Sequence, residues 1–310
     1  MRIMFMGTPE ISATCLKELI ASDNEIVAVV TGKDKPRGRG NVMTPTAVKA
    51  LALENSLPVY TPDSLKGEDF MALLNEINPE LIAVVAYGKI LPKSVLDFPK
   101  YGCINVHVSL LPKYRGAAPM QRAIINGEKE TGVTIMYMAE GVDTGDIIDT
   151  EAFPIGDEDD FEAIHDRSAE VGAKLLVKTV KALCDGTATR TPQDDSLATH
   201  AAKIEKEDCK IDFTRSAAVL DCAIRGVTPI PGAFAYLKGK MLKIYKAKPV
   251  KGSGRASEVI AVDSKGVGSF TVACGEGALL VEGVIPEGKG RMSAGDFVRG
   301  RKIELGDVLE

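Results

Sequence analysis

Over roughly the first 110 residues, apolar positions come in blocks rather than in strict alternation. "RIMFM", "EIVAVV", "LIAVVAYG" and "GCINVH" are short runs that are apolar almost throughout. Between them, "PEISATCLKELIAS", "TPTAVKALALENS" and "EDFMALLNEI" place apolar residues three and four apart, with Ile11, Cys15, Leu16, Leu19 and Ile20 as the clearest stripe. Runs of the first kind are strands buried on both faces, and the spacing of the second predicts amphipathic helices. Alternation of the two predicts an α/β domain, with a doubly wound, mostly parallel, Rossmann-like sheet covered by helices on both sides.

"TGVTIMYM" and "GDIIDTEAFPI" read as two further strands, joined by "AEGVDTG". The stretch "DEDDFEAIHDRSAEVGAKLLVKTVKALCDG" reads as one long helix. Its acidic start suits the helix dipole, and Gly186 suits a C-terminal cap. A polar, irregular segment follows and reads as a linker. Beyond a short helix over Ser216–Arg225, the strands "GAFAYL", "KMLKIYKAKPV", "SEVIAVD", "SFTVACG" and "GALLVEGVIP" are separated by Gly-, Lys- and Ser-rich turns. This texture predicts a small antiparallel barrel of the oligonucleotide-binding kind. The expected boundaries are a catalytic domain at 1–188, a linker at 189–206 and the β-barrel at 207–310.

Composition narrows the function classes. Apolar residues at 45% and charged residues at 26% are those of an ordinary globular protein, and no stretch reaches the length of a membrane span. A cytoplasmic monomer is expected. The six cysteines form no C-x-x-C pair and the three histidines lie far apart, so no metal site is expected. The net charge of −5 hides an asymmetry, with +3 from Glu205 onward and −8 before it. Between Asp221 and Glu258 there is no acid at all, while Arg225, Lys238, Lys240, Lys243, Lys246, Lys248, Lys251 and Arg255 fall in that window. Charge alone leaves a solvated face and a polyanion-binding surface both open.

Candidate chemistry lies in "INVHVSLLPKYRGAAP", residues 104–119. Strand alternation puts Asn105 and His107 on one face, and Pro112 stops the strand, so both stand at the carboxyl rim where open α/β sheets bind ligands. "GVDTGD" is a tight polar turn from which an aspartate can meet that histidine. No nucleophile elbow accompanies them. An asparagine amide can donate to a developing oxyanion, and a histidine held by an aspartate can move protons at nitrogen. The set therefore suits direct acyl transfer between two nitrogens. The turn at Gly7 lacks the G-x-G-x-x-G pattern, which argues against a dinucleotide dehydrogenase.

These residues carry a resemblance. "INVHVSLLPKYRGAAP" with "GVTIMYMAEGVDTGDII" is similar to the corresponding segments of the folate-dependent formyltransferases, and "FMGTPEIS", "KDKPRGRG", "VVAYGKILP" and "AAKIEKEDCKIDFTRSA" extend it along the chain in the family's order. The resemblance implies that Asn105, His107 and Asp143 are catalytic and that Ser109, Leu110, Leu111 and Pro112 line the site of a 10-formyltetrahydrofolate donor. It implies as acceptor the α-amino group of methionine esterified to initiator tRNA, giving N-formylmethionyl-tRNA for translation initiation. The basic loop with Lys33, Lys35, Arg37 and Arg39 would reach the acceptor stem, and the lysine-rich strand with Lys238, Lys240, Lys243, Lys246 and Lys248 fits the same polyanion. Sugar-nucleotide N-formyltransferases share the N-x-H, SLLP and D-T-G-D elements and are the alternative, but the basic loop and the acid-free window favour RNA. A formyl-folate hydrolase needs no such cations. Val108 departs from the pattern, standing where relatives often carry Gly or Ala, as does the absence of tryptophan.

Overall fold

The structure is a computed structural model describing residues 1–37 and 40–310, with Arg37 described by its backbone only. Two compact units emerge. The first gathers Met1–Gly116, Glu130–Phe153 and His165–Ala201, and the second Ala117–Lys129, Pro154–Ile164 and Ala202–Glu310. The second unit thus takes two segments that the sequence pattern had placed with the first.

In the first unit the predicted blocks become β1 (Arg2–Gly7), α1 (Glu10–Ile20), β2 (Glu25–Val30), α2 (Ala47–Glu54), β3 (Val59–Tyr60), α3 (Glu68–Ile77), β4 (Leu81–Val85), β5 (Cys103–His107), β6 (Glu130–Tyr137), β7 (Ile147–Pro154) and α4 (Phe161–Asp185). The sheet order is β7-β6-β5-β4-β1-β2-β3. From β3 to β5 every pairing is parallel, and β6 runs antiparallel to β5. Every residue of β4 is buried, as both-face coverage requires. Gly186 follows α4 at φ +68°, the left-handed cap its position predicted. Gly7 ends β1 where α1 presses close. A Cβ there would lie 2.6 Å from the Ser12 Cβ and 2.8 Å from the Val85 carbonyl oxygen, which accepts from the Ser12 hydroxyl at 2.6 Å.

The second unit carries α5 (Ala217–Gly226), then β8 (Ala233–Leu237), β9 (Lys240–Val250), β10 (Val259–Asp263), β11 (Ser269–Ala273), β12 (Ala278–Pro286) and α6 (Ala294–Arg299). The antiparallel order is β8-β9-β12-β11-β10. Its two ends are joined by the last residues of the chain. Leu309 bridges to Leu237, Val308 bridges to Glu258, and Glu310 and Tyr236 exchange backbone hydrogen bonds at 2.8 and 2.6 Å. The five strands therefore close on themselves. Leu309 is fully buried in the core with Phe213, Phe270 and Val281. Leu309→Ala is expected to cost about 2–5 kcal/mol, as for other large-to-small core changes, read by denaturant unfolding followed by circular dichroism because the chain has no tryptophan.

Candidate active site

β5 sets the geometry. Its register puts Asn105 beside Val84 of β4, while Val85 is level with Gly7 of β1, so His107 lies past the ends of β4 and β1 and pairs on its other side with Thr134 of β6. Val106 faces the other way and packs on α4. A Cβ on Gly172 would sit 3.1 Å from the Val106 Cγ1, so only a small residue fits there comfortably. On the face opposite, His107 is 5% exposed and Asn105 is half-buried. Among the described residues no group hydrogen-bonds to the Asn105 carboxamide, which is left ready for a ligand.

His107 is gripped from two sides. Its Nε2 lies 3.0 Å from the Tyr114 carbonyl oxygen. A carbonyl only accepts, so Nε2 carries a proton and Nδ1 is the nitrogen that faces Asp143, 3.6 Å from its Oδ2. The same Oδ2 accepts from the Gly116 backbone N–H at 2.8 Å. One short segment, residues 114–116, therefore touches both side chains. It does so with its backbone in the left-handed region, at φ +61° for Tyr114 and +121° for Gly116. Asp143 is itself left-handed at +54°. Two strained positions, Tyr114 and Asp143, beside a glycine that tolerates its positive φ, fit a site whose geometry is held by its surroundings.

The "SLLP" segment forms a tight turn directly after β5. The Ser109 hydroxyl donates to the Lys113 carbonyl at 2.7 Å, and the Thr134 hydroxyl, which donates to the Ser109 carbonyl at 2.7 Å, accepts from the Leu111 N–H at 3.2 Å. Ser109 and Leu111 are buried, while Leu110 and Pro112 are half-buried. Gly132 makes room for Leu110, since a Cβ on it would lie 2.5 Å from the leucine Cδ2. Val108 is half-buried just beyond the strand end.

With this geometry in view, comparison with known proteins is decisive. Residues 1–180 match the family described as Formyl transferase, and residues 203–302 match its C-terminal domain. The chain belongs to the formyl transferase family. Among its curated relatives, the methionyl-tRNA formyltransferase of Pelotomaculum thermopropionicum is 47% identical over all of this chain and 98% of its own length. That of Citrifermentans bemidjiense is 45% identical over all of this chain and 96% of its own. Among solved structures, an N-formyltransferase from Helicobacter canadensis, in complex with folinic acid and dTDP-3-aminofucose, aligns at TM-score 0.66 and 19% identity over 90% of this chain and 98% of that one. HypX from Aquifex aeolicus, in complex with tetrahydrofolic acid, aligns at 0.66 and 18% over all of this chain and half of its own. The two structures share the fold.

The cations of this formyl transferase are less free than its sequence suggests. Lys33 is exposed and paired with Asp63, whose carboxyl it holds below the usual range. Lys35 is exposed on a hairpin of Lys35–Arg37 with Val42–Thr44, while Arg39 and the side chain of Arg37 lie outside the described residues. Carboxylates distant in sequence reach into the acid-free window. Lys238 pairs with Asp307 at 2.8 Å, Lys246 with Glu282 at 3.5 Å and Lys248 with Glu158 at 3.0 Å, while Lys243 donates to the Pro231 carbonyl. Lys240 has no partner among the described residues. It lines a cavity of about 530 Å³ with Lys238, Lys289, Phe297, Arg301 and Lys302. The last four were not singled out by sequence, because α6 and the turn after β12 meet β9 only in the fold.

Sequence pattern also missed the scaffold behind the catalytic candidates. Residues read as a polar linker lie against the first unit. Thr191 pairs with Ile147, and His200–Ala201 pairs in parallel with Arg115–Gly116. The Thr199 hydroxyl accepts from the Tyr114 N–H at 2.8 Å. Most of these residues are exposed, yet several of their polar groups also bond back to the unit they lie in. Among the described residues no three His, Cys, Asp or Glu side chains gather as metal ligands, and no helix is long and apolar enough to cross a membrane.

Proposed function

We propose that this protein transfers the formyl group of 10-formyltetrahydrofolate to the α-amino group of methionyl-tRNA. The observation that carries the reading is the open Asn105 carboxamide beside a histidine whose Nδ1 faces Asp143. In the reaction the methionyl amine attacks the formyl carbon. Asn105 donates a hydrogen bond to the oxygen as it takes up negative charge. The bond from carbon to the folate N10 then breaks, and the proton lost by the amine replaces it on N10. Nε2 of His107 is engaged with the Tyr114 carbonyl, which leaves Nδ1 and Asp143 as the pair through which that proton passes. The turn at Ser109–Pro112, fixed by Thr134, forms one wall for the folate.

The acceptor is tRNA rather than a sugar nucleotide because full-length relatives at 43–47% identity carry that name, and because cations of both units suit phosphate contacts. The deciding assay incubates the protein with 10-formyltetrahydrofolate and, in separate reactions, charged initiator methionyl-tRNA, charged elongator methionyl-tRNA or a sugar-nucleotide amine. Formyl is expected on initiator methionyl-tRNA, with a rate that falls as salt rises. Transfer only to the sugar nucleotide would overturn the reading.

A further inference from the structure

Beyond Asn105, His107 and Asp143, one side chain holds the backbone that aims the carboxylate. The Gln193 Nε2 donates to the Asp143 carbonyl at 2.9 Å and to the Gly145 carbonyl at 2.6 Å. Its Oε1 accepts from the Arg115 Nε at 3.0 Å and from Nη2 at 2.8 Å. Arg115 is itself anchored on Asp195 at 2.7 Å, and it lies between Tyr114 and Gly116, the residues that grip His107 and Asp143. The hydrogen bonds thus form a ring. From Asp143 it runs through Gln193 and the Arg115 side chain to the 114–116 backbone, and back to both catalytic candidates.

The Asp143 loop needs such a brace. Residues 139–142 and 144 are exposed, so little apolar burial fixes the loop. Asp143 occupies a left-handed conformation that an aspartate adopts only at a cost. Gly145 is pressed so close to the Tyr137 carbonyl that a Cβ there would lie 1.7 Å from its oxygen. An unbraced loop has other conformations open to it, and in them the carboxylate no longer stands 3.6 Å from Nδ1.

We propose that Gln193 is a positioning residue for formyl transfer, acting by clamping the Asp143–Gly145 backbone through both amide hydrogens while Arg115 fixes its carbonyl end. The proposal rests on the function reading above. It accounts for a glutamine in what the sequence presents as a linker.

Gln193→Glu separates the two halves of the clamp. It keeps the acceptor for Arg115 and loses both N–H donors to the loop carbonyls. Gln193→Ala removes both halves. Each variant is expected to lower kcat by about 30-fold or more, the scale of a small misplacement of a reacting group, with KM for folate and for methionyl-tRNA within about threefold of the parent. A Gln193→Glu protein with parental kcat would overturn the proposal, since the Arg115 contact would then suffice. A rise in KM at unchanged kcat would overturn it too, as would failure of both variants to fold, which would make the residue structural. The imidazole 15N signals of His107 give a readout independent of turnover. They are expected to move in Gln193→Glu, and unmoved signals would overturn the clamp. If the parent itself formylates no acceptor, the function reading fails, and the His107 signals still test the positioning.

Discussion

Asn105→Ala is expected to slow formyl transfer by at least about 100-fold, the usual loss when an oxyanion donor is removed. The effect should fall on kcat. Asn105 makes no side-chain hydrogen bond among the described residues, so its removal leaves no buried partner unsatisfied and the fold should be unaffected. His107→Ala and Asp143→Ala are expected to cost about 100-fold or more each, on the scale for acid–base groups. Their effects should not add, because His107 Nδ1 and Asp143 act on one proton and removing either disables both. Single-turnover rates with saturating 10-formyltetrahydrofolate and methionyl-tRNA measure the chemical step directly. Near-parental rates in all three variants would remove this site from the reaction.

The second large effect is expected from a residue with no side chain. Gly116→Ala places a Cβ 2.8 Å from the Ala201 carbonyl oxygen and 2.9 Å from the His200 ring, at a φ of +121°. Relief requires the backbone to rotate or retreat, and this backbone N–H is the donor to Asp143. The variant should lose about 100-fold in kcat, as for a misplaced catalytic group, and also lower the melting temperature. Gly186→Ala is the control. It carries a milder left-handed penalty at φ +68° with nothing within 4 Å of the added carbon, so it should lose some stability while keeping its rate. Equal rates in the two variants would mean that the 114–116 segment does not hold the site.

What could be read in advance follows the range of the interactions. Continuous apolar runs and helical stripes report burial of neighbours in the chain, and from them came the parallel sheet, the placement of Asn105 and His107 on one face, and the antiparallel second half. The reversal at β6 was not legible, because a buried strand has the same composition in either direction. Asp143 as the partner of His107 came from a family resemblance, since no periodicity links residues 36 positions apart. Gln193, Thr199 and Thr134 were invisible because a polar residue bonded to a distant carbonyl looks, in one dimension, like one bonded to water. The lysines of β9 and of the turn before it are less free than their window suggests, for the complementary reason. Their window contains no acid, but Glu158, Glu282 and Asp307 arrive from outside it.

The interleaving of the two units limits how the chain can be dissected. A cut after Ala201 follows the texture of the sequence, but a fragment of 202–310 would lack pieces of its own unit. It would lose the helix Pro119–Ile125, against which Gly226 is packed so tightly that a Cβ would lie 2.5 Å from the Ile125 Cγ1. It would also lose Arg122, the partner of Asp208, the Asp159 carbonyl that receives Arg225, and Glu158 beside Lys248. Binding measured on such a fragment would report a frayed barrel whose lysines have been stripped of a carboxylate. RNA affinity belongs to the intact polypeptide, and point substitutions are the instrument for apportioning it.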